Sequence, residues 1–362
     1  MSTTSAPERA AASPSPRIGP RRDCAGHRVR TGRAESGGRT ARAAWLVARR
    51  LAWTVPMLVV VSLGIFALAA LSPADATSGF LGANEEFASG DSRVNVTGLL
   101  VSGNWLQSWF GWAGSALAGD PGWSTVYRAP VAEVVASRLP WTVLIMAFGL
   151  VVAAVVSVAV ALGIARRPGH PVSRIVASGL WTVSAVPSFL VTLGLMAVFA
   201  LGLGWLPAGG LTDAGADIGV AQVAVHMVLP TLAVAVSQLP WMTLHLQESL
   251  AGQLQGPAVA AARVRGLSET TILLRHVLPA ASVPVLAIAG TRLPEIVAGA
   301  ALVELVLSWP GLGQSLVDAA LAGDLALLAA TGVLLTALSL LGGLVADLAL
   351  VGLDPRVDPR GL

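Results

Sequence analysis

Lysine is absent from this chain of 362 residues, and cysteine and tyrosine occur once each. Without lysine there is no G-x-x-x-x-G-K-[ST] loop to hold nucleotide phosphates, which argues against ATP hydrolysis by this chain through that motif. The lone Cys24 excludes an internal disulfide and a cysteine-based metal site. No G-x-S-x-G elbow or H-E-x-x-H pair occurs, which removes the common hydrolase and zinc-protease arrangements. The histidines (His27, His170, His226, His245, His276) are scattered. His226 and His276 open H-x-x-L-P and H-x-L-P runs beside apolar stretches, where a helix-end role outweighs metal or proton chemistry. No cofactor, metal or catalytic residue is expected. Charge is scarce too, at 12% of residues, about half of what soluble domains carry, whereas 54% are hydrophobic. The chain reads as an integral membrane protein.

Apolar runs long enough to cross roughly 30 Å of hydrocarbon at about 1.5 Å per residue lie near 51–71, 139–165, 175–204, 221–246, 279–307 and 325–352. Hydrocarbon offers backbone groups no water, so spans of this length must be helices, and an all-α protein with six transmembrane helices is predicted. Eleven arginines precede residue 51. Arg166, Arg167 and Arg174, then Arg263, Arg265 and Arg275, then Arg356 and Arg360 fall on the same side, against Arg93, Arg128 and Arg138 on the other. Both termini are therefore predicted to be cytoplasmic.

The domain layout follows. Residues 1–43, rich in Arg, Ser and Pro with almost nothing large and apolar, are expected to form a disordered cytoplasmic tail able to rest on anionic lipid. Residues 44–72 hold the first anchor, which is too long and too late to be a cleaved signal. Residues 73–137 form an external loop, and 138–362 the core with five further spans. Within the loop, Trp105, Trp109, Trp112 and Trp123 predict a helix around 104–118 lying along the outer surface, with packing in a small external subdomain as the alternative.

The stretch Ala258–Pro279, between spans four and five, is short, cytosolic and rich in Ala and Arg. Ala258, Ala260, Ala261 and Ala262 favour a helix with so little bulk that it can lie close inside a groove of a partner. Arg263 and Arg265 offer that partner charge, and Gly266 is placed to stop the helix. Charge inside a span is costly and marks a pathway or a pair, which singles out Arg292, Glu295 and Glu304 in span five as a candidate translocation path. Arg292 and Glu295, three apart, can meet on one helix face. Pro284 and Pro294 would bend that helix. No internal repeat is evident, and span five alone carries an acid well inside, so an ion-gradient-driven secondary transporter is the weaker reading.

Several separated blocks resemble the dipeptide/oligopeptide/nickel permease family of ABC importers. They are Arg49-Arg50-Leu51 with Pro56 and LSPADA at 71–76; Gly119-Asp120-Pro121-Gly122-Trp123-Ser124; Pro130-Val131; Arg138-Leu139-Pro140-Trp141-Thr142; SAVPSF at 184–189; LGWLPAGG at 203–210; HMVLP at 226–230; SWPGLG at 308–313; and LDPRVDP at 353–359. The resemblance runs from about residue 48 to the C-terminus. It implies a permease subunit in the cell membrane that forms half of a translocation pore. Its partners would be a second permease, two cytosolic ATP-binding subunits and an extracytoplasmic substrate-binding protein. Di- or oligopeptides are the expected cargo, with nickel or another small solute as the alternative, and ATP hydrolysis would occur on a separate subunit. The resemblance makes the Ala-rich stretch a coupling helix seated in the ATPase. Relatives usually carry Asp-Tyr-Val-Arg-Thr-Ala-Arg-Ala-Lys-Gly there. Here Pro257, Ala258 and Ala260 replace the Asp, Tyr and first Arg, while Arg263 and Gly266 are retained. Glu304 falls where the family places a glutamate, whereas Arg292 and Glu295 look peculiar to this chain.

Overall fold

A computed structural model describes residues 35–71, 105–167 and 169–353, with side chains from residue 44 to residue 352. By its contacts the chain divides into Met1–Ala41, of which only the start of a helix is described, and Arg42–Leu362, which holds everything below. In chain order the elements are α1 (Glu35–Leu71), α2 (Trp105–Leu117), the hairpin strands β1 (Trp123–Ser124) and β2 (Ala129–Pro130), and α3 (Val131–Arg166). Then come α4 (Pro171–Ser184), α5 (Ser188–Leu195, continued by a π-helical turn Met196–Gly202), α6 (Val220–Leu254) and α7 (Pro257–Val264). Next is α8 (Glu269–Thr271), joined by a π-helical turn Ile272–Val277 to α9 (Leu278–Val306), and last are α10 (Leu312–Ala322) and α11 (Leu325–Leu353).

Five helices are long and apolar enough to cross a membrane, at Ala44–Leu71, Val131–Arg166, Val220–Leu254, Glu269–Val306 and Leu325–Gly352. The run expected at 175–204 is instead two helices, α4 and α5, bent by 111°. Pro187 is the reason. It excludes the α conformation from the residue before it, and it serves as the N-cap of α5 with an extended ψ of 144°. Hydropathy also misplaced the helix ends, because it marks where hydrocarbon lies and not where a helix is capped. α3 begins at Val131, directly after the hairpin, so the boundary drawn at residue 138 falls within it. α1 begins at Glu35, inside the segment 1–43 expected to be disordered. The alternation of Ala, Arg and Leu before residue 51 sustains a helix there. Residues 1–34, 72–104 and 354–362 lie outside the described residues, and with them the remaining expectations for the tail, for LSPADA and most of the loop, and for LDPRVDP.

With no hydrophobic drive between helices in lipid, close approach must come from small side chains and interhelical hydrogen bonds. α3 and α6 form the most extensive pair. A Cβ on Gly149 of α3 would lie 2.6 Å from Val234 Cγ1, so only glycine admits α6 that near. Below that crossing, the buried Thr243 hydroxyl donates to Ser157 Oγ at 3.1 Å. α9 and α11 repeat the device, with Gly290 facing Ala346 and Gly342 facing Leu293. The main core is built on these helices, with Leu229, Ala233, Leu250, Ile272, Ile296, Ala300 and Leu312 among its buried members.

α1 stands mostly exposed and is held to α11 and α2 at a few points. Toward its end, Phe66 packs on Trp112 with ring centroids 5.6 Å apart, beside buried Ala329. Trp109 Nε1 donates to Ser62 Oγ at 3.0 Å. The tryptophan helix expected at 104–118 is therefore α2. One face packs inward through Trp112, and the other leaves Trp105 and Phe110 exposed. Toward the other end of α1, Arg50 is ion-paired with Asp347 of α11, Nε lying 2.8 Å from Oδ2. Asp347 is 5% exposed. It corrects the expectation that span five alone carries a buried acid, since the last span carries one too, neutralised by an arginine nearly three hundred positions away.

Replacing Asp347 by Ala leaves Arg50 unpaired beside the apolar core and should destabilise the fold by about 2 kcal/mol. Exchanging the two charges (Arg50→Asp with Asp347→Arg) should recover part of that loss. Thermal unfolding of the purified protein in detergent, followed by tryptophan fluorescence, compares the two.

Candidate functional site

α7 occupies the Ala-rich stretch and is framed by local signals. Gly256 is its N-cap, Pro257 its first residue, and Gly266 its stop, with φ at +75°. The Gly266 amide donates to Arg263 O at 2.9 Å and the Leu267 amide to Ala262 O at 3.2 Å, the paired bonds of a Schellman turn. Val259 and Ala262 turn inward and join the core that holds Ile272 and Leu273. Ala262, expected on the docking face, is thus an anchor: the 3.6-residue period places it one turn beyond Val259 on the buried side. Ala258, Ala260, Ala261, Arg263, Arg265 and Gly266 are exposed. Val264 joins them at 89% exposed, and its apolar character was the available clue. Arg263 is not a loose charge. It grips Glu269 with two nitrogens, at 2.7 and 3.2 Å, which clamps the turn leading into α8. Arg265 Nε donates to Ala261 O at 3.3 Å. The outward surface is therefore smooth and apolar, bordered by an internally neutralised ion pair.

The far end of the helices carries a second construction, in which many of the separated sequence blocks meet. Asp324 caps α11 through Leu327 N (3.1 Å), and its other oxygen accepts from Ser124 Oγ (2.7 Å), Thr125 N (2.8 Å) and Val126 N (3.3 Å). The hairpin is thereby pinned to the last span. Tyr127 donates to Asp318 at 2.5 Å, and the Arg138 guanidinium lies 4.2 Å from the centre of its ring. Burial first, and the Asp318 contact second, push the Tyr127 phenol above its ordinary range, so it remains a donor. Thr142 Oγ1 accepts from Leu312 N at 2.8 Å, and Trp309 Nε1 donates to Trp141 O at 3.3 Å. The Gly210 amide donates to Leu307 O at 2.9 Å, while His226 Nδ1 faces the Gly209 and Gly210 carbonyls at 3.1 and 3.2 Å. His226 therefore ties a loop to α6, which is a helix-end role.

Glu304, expected on a translocation path with Arg292 and Glu295, belongs to this end construction. It is 0% exposed, and its Oε2 accepts from the Gly313 amide (2.6 Å) and the Gln314 amide (3.3 Å) in the first turn of α10. Any Cβ on Gly311 would collide with its carboxylate, and one on Gly313 would strike Ala301. Arg292 and Glu295 are brought together elsewhere, midway along α9. There Arg292 Nη1 donates to both Glu295 oxygens at 3.2 and 3.0 Å. Their side chains are 35% and 69% exposed. The guanidinium lies 5.4 Å from the ring centre of Trp241, a residue that sequence reasoning did not single out. Among the described residues no group of three or more His, Cys, Asp or Glu could hold a metal ion.

The family of binding-protein-dependent transport system inner membrane components matches residues 156–359. The chain is 27% identical over 317 residues to the oligopeptide transport system permease protein AppB of Bacillus subtilis, covering 87% of this chain and 99% of that one. It is 27% identical to a putative peptide permease protein of Brucella ovis, over 85% of this chain and 97% of the relative. To the glutathione transport system permease protein GsiC of Salmonella typhimurium it is 29% identical, over 86% and 98%.

The end construction predicts two different failures. Gly311→Ala should displace Glu304 and destabilise the fold by about 3 kcal/mol, as overpacking of a filled site does. Asp324→Ala should release the hairpin while the spans stay folded, seen as new protease cleavage near residues 123–130 with unchanged helicity by circular dichroism.

Proposed function

Because the chain belongs to the binding-protein-dependent transport system inner membrane components, we propose that it is the permease subunit of an ATP-driven importer of di- or oligopeptides. The observation that carries this reading is the family match, together with relatives named as peptide permeases that align over nearly their whole length. The chain is a multi-pass protein of the cell membrane and a transport component without covalent chemistry of its own. In this reading the α4–α5 pair counts as one crossing, which makes six, and both termini are cytoplasmic. The partners are a second permease, two ATP-binding subunits on the α7 side, and a substrate-binding protein on the hairpin side.

The mechanism rests on how α7 is tied to the rest. Closure of the ATPase pair on ATP pushes the smooth surface of Ala258, Ala260, Ala261 and Val264. Val259 and Ala262 key α7 into the core beside Ile272 and Leu273, and the Arg263–Glu269 clamp stiffens the turn. From Glu269 the backbone runs as one helical stretch of 38 residues to Val306. A push at α7 therefore reaches Arg292, Glu295 and then Glu304 along one continuous helix. The pore turns outward, accepts peptide from the binding protein, and returns inward after hydrolysis. Arg292 and Glu295 line the path, and Glu304 holds its outer end together.

Two experiments test this reading. Purification from the native membrane should recover two ATP-binding subunits and a sister permease, and vesicles holding that complex should take up peptide when given ATP and the binding protein. Ala261→Trp, which adds bulk to the exposed face of α7, should lower uptake about tenfold or more without changing thermal stability, as bulk at the centre of a packed interface does. Uptake unaffected by that substitution would remove α7 from the coupling role.

A further inference from the structure

Arg292 and Glu295 sit midway along α9 (Leu278–Val306), on a face where Thr291 and Ala298 are also exposed. A half-exposed ion pair at that depth is costly against hydrocarbon, so the face must meet protein or water. Its geometry narrows what it meets. Only Nη1 of Arg292 is used by Glu295, and among the described residues Nε and Nη2 have no acceptor. Glu295 accepts from that one nitrogen and keeps its outer lone pairs open. The guanidinium is also aimed. It lies over the ring of buried Trp241, whose Nε1 is itself fixed by Gln238 Oε1 at 2.8 Å. A planar cation resting on an aromatic face retains its edge donors for a second partner.

Resting on the peptide-importer reading, we propose that Arg292 and Glu295 form a dipolar site for a zwitterionic peptide in transit, Arg292 taking its carboxylate and Glu295 its ammonium group. A lone anion would meet repulsion from Glu295 and a lone cation from Arg292, whereas a neutral solute would not repay the desolvation of either. A partner carrying both signs exchanges one internal ion pair for two external ones. When the peptide leaves, the two side chains neutralise each other again, which keeps the site shallow. Conduction needs that, since a site must bind well enough to be entered and weakly enough to be left. Arg292 and Glu295 would act in selection and the side chains of Trp241 and Gln238 in positioning.

The test uses the assembled transporter with its ATP-binding subunits, sister permease and binding protein in membrane vesicles. A Cys24→Ser, Ala298→Cys background places a single thiol one turn from Glu295, and its reaction with a membrane-impermeant thiol reagent is timed with and without tri-alanine bearing free termini. Tri-alanine should slow labelling. Arg292→Gln and Glu295→Gln should each weaken that protection about tenfold, the loss of one charge-assisted hydrogen bond, with protection measured against each variant's own peptide-free labelling rate, since a charge near the thiol sets its reactivity. Arg292→Lys, which keeps the charge but not the planar edge donors, should retain part of the protection. Protection unchanged by both glutamine variants would overturn the dipolar site and leave the path reading intact. A thiol that labels but is never protected by tri-alanine would overturn the peptide assignment at this site. A thiol that never labels would remove both the site and the path.

Discussion

A carboxylate withdrawn from water at the end of α9 governs the architecture around it. Glu304 is fully buried and accepts the amides that open α10, so the chain can leave a long helix, turn, and start another without stranding backbone groups. Everything near it is shaped by that need. Gly311 and Gly313 exist as glycines because a side chain would occupy the space of the carboxylate or of α9 itself. The turn that precedes them, directly after α9, carries Ser308 in a left-handed conformation at φ 48°, a strain of order 1 kcal/mol that the packed Trp309 holds in place. Thr142 from α3 and Gly210 from the loop after α5 then bond to the same short stretch.

The two ends of the molecule are built on opposite principles. At the Glu304 end, loops are fastened by buried acids and backbone amides, with Asp324 serving a hairpin and a helix start at once. At the α7 end little is fastened beyond Val259, Ala262 and an exposed ion pair, and the outward surface is small and apolar. The first holds its loops through buried polar bonds, whereas the second presents an exposed helix face with few ties to the rest. The Glu269–Val306 helix joins them. Its π-helical turn at Ile272–Val277 departs from regular winding just where α7 is keyed in, with Ile272, Leu273 and Val277 buried against the core.

Ion pairs within the spans follow one physical rule with two outcomes. Arg50 and Asp347 meet with the acid nearly buried, and the pair fastens α1 to α11. Arg292 and Glu295 meet on one helix with much of their surface uncovered, and donors and acceptors are left over. An arginine paired with a carboxylate thus closes one contact and leaves another open. The difference lies in whether the partner comes from a distant helix, which consumes the charges, or from three residues along the same one.

Much of the fold was legible from composition and punctuation. The scarcity of charge, the length of the apolar runs and the need to satisfy backbone groups in lipid dictated helices and their approximate number. The alanines at 258 and 260–262 and the stop at Gly266 marked α7 in the sequence, and the spacing of Arg292 and Glu295 announced their pairing. These are local properties, set by neighbours within a turn or two. Tertiary structure decided what depends on distant neighbours. The bend at Pro187 required knowing that a breaker inside an apolar run would not be straightened by packing. Arg50 and Asp347 could not be matched from positions so far apart. Glu304 read as a charge in a pathway, because sequence records an acid in a span but not the two amides that fold back to bury it.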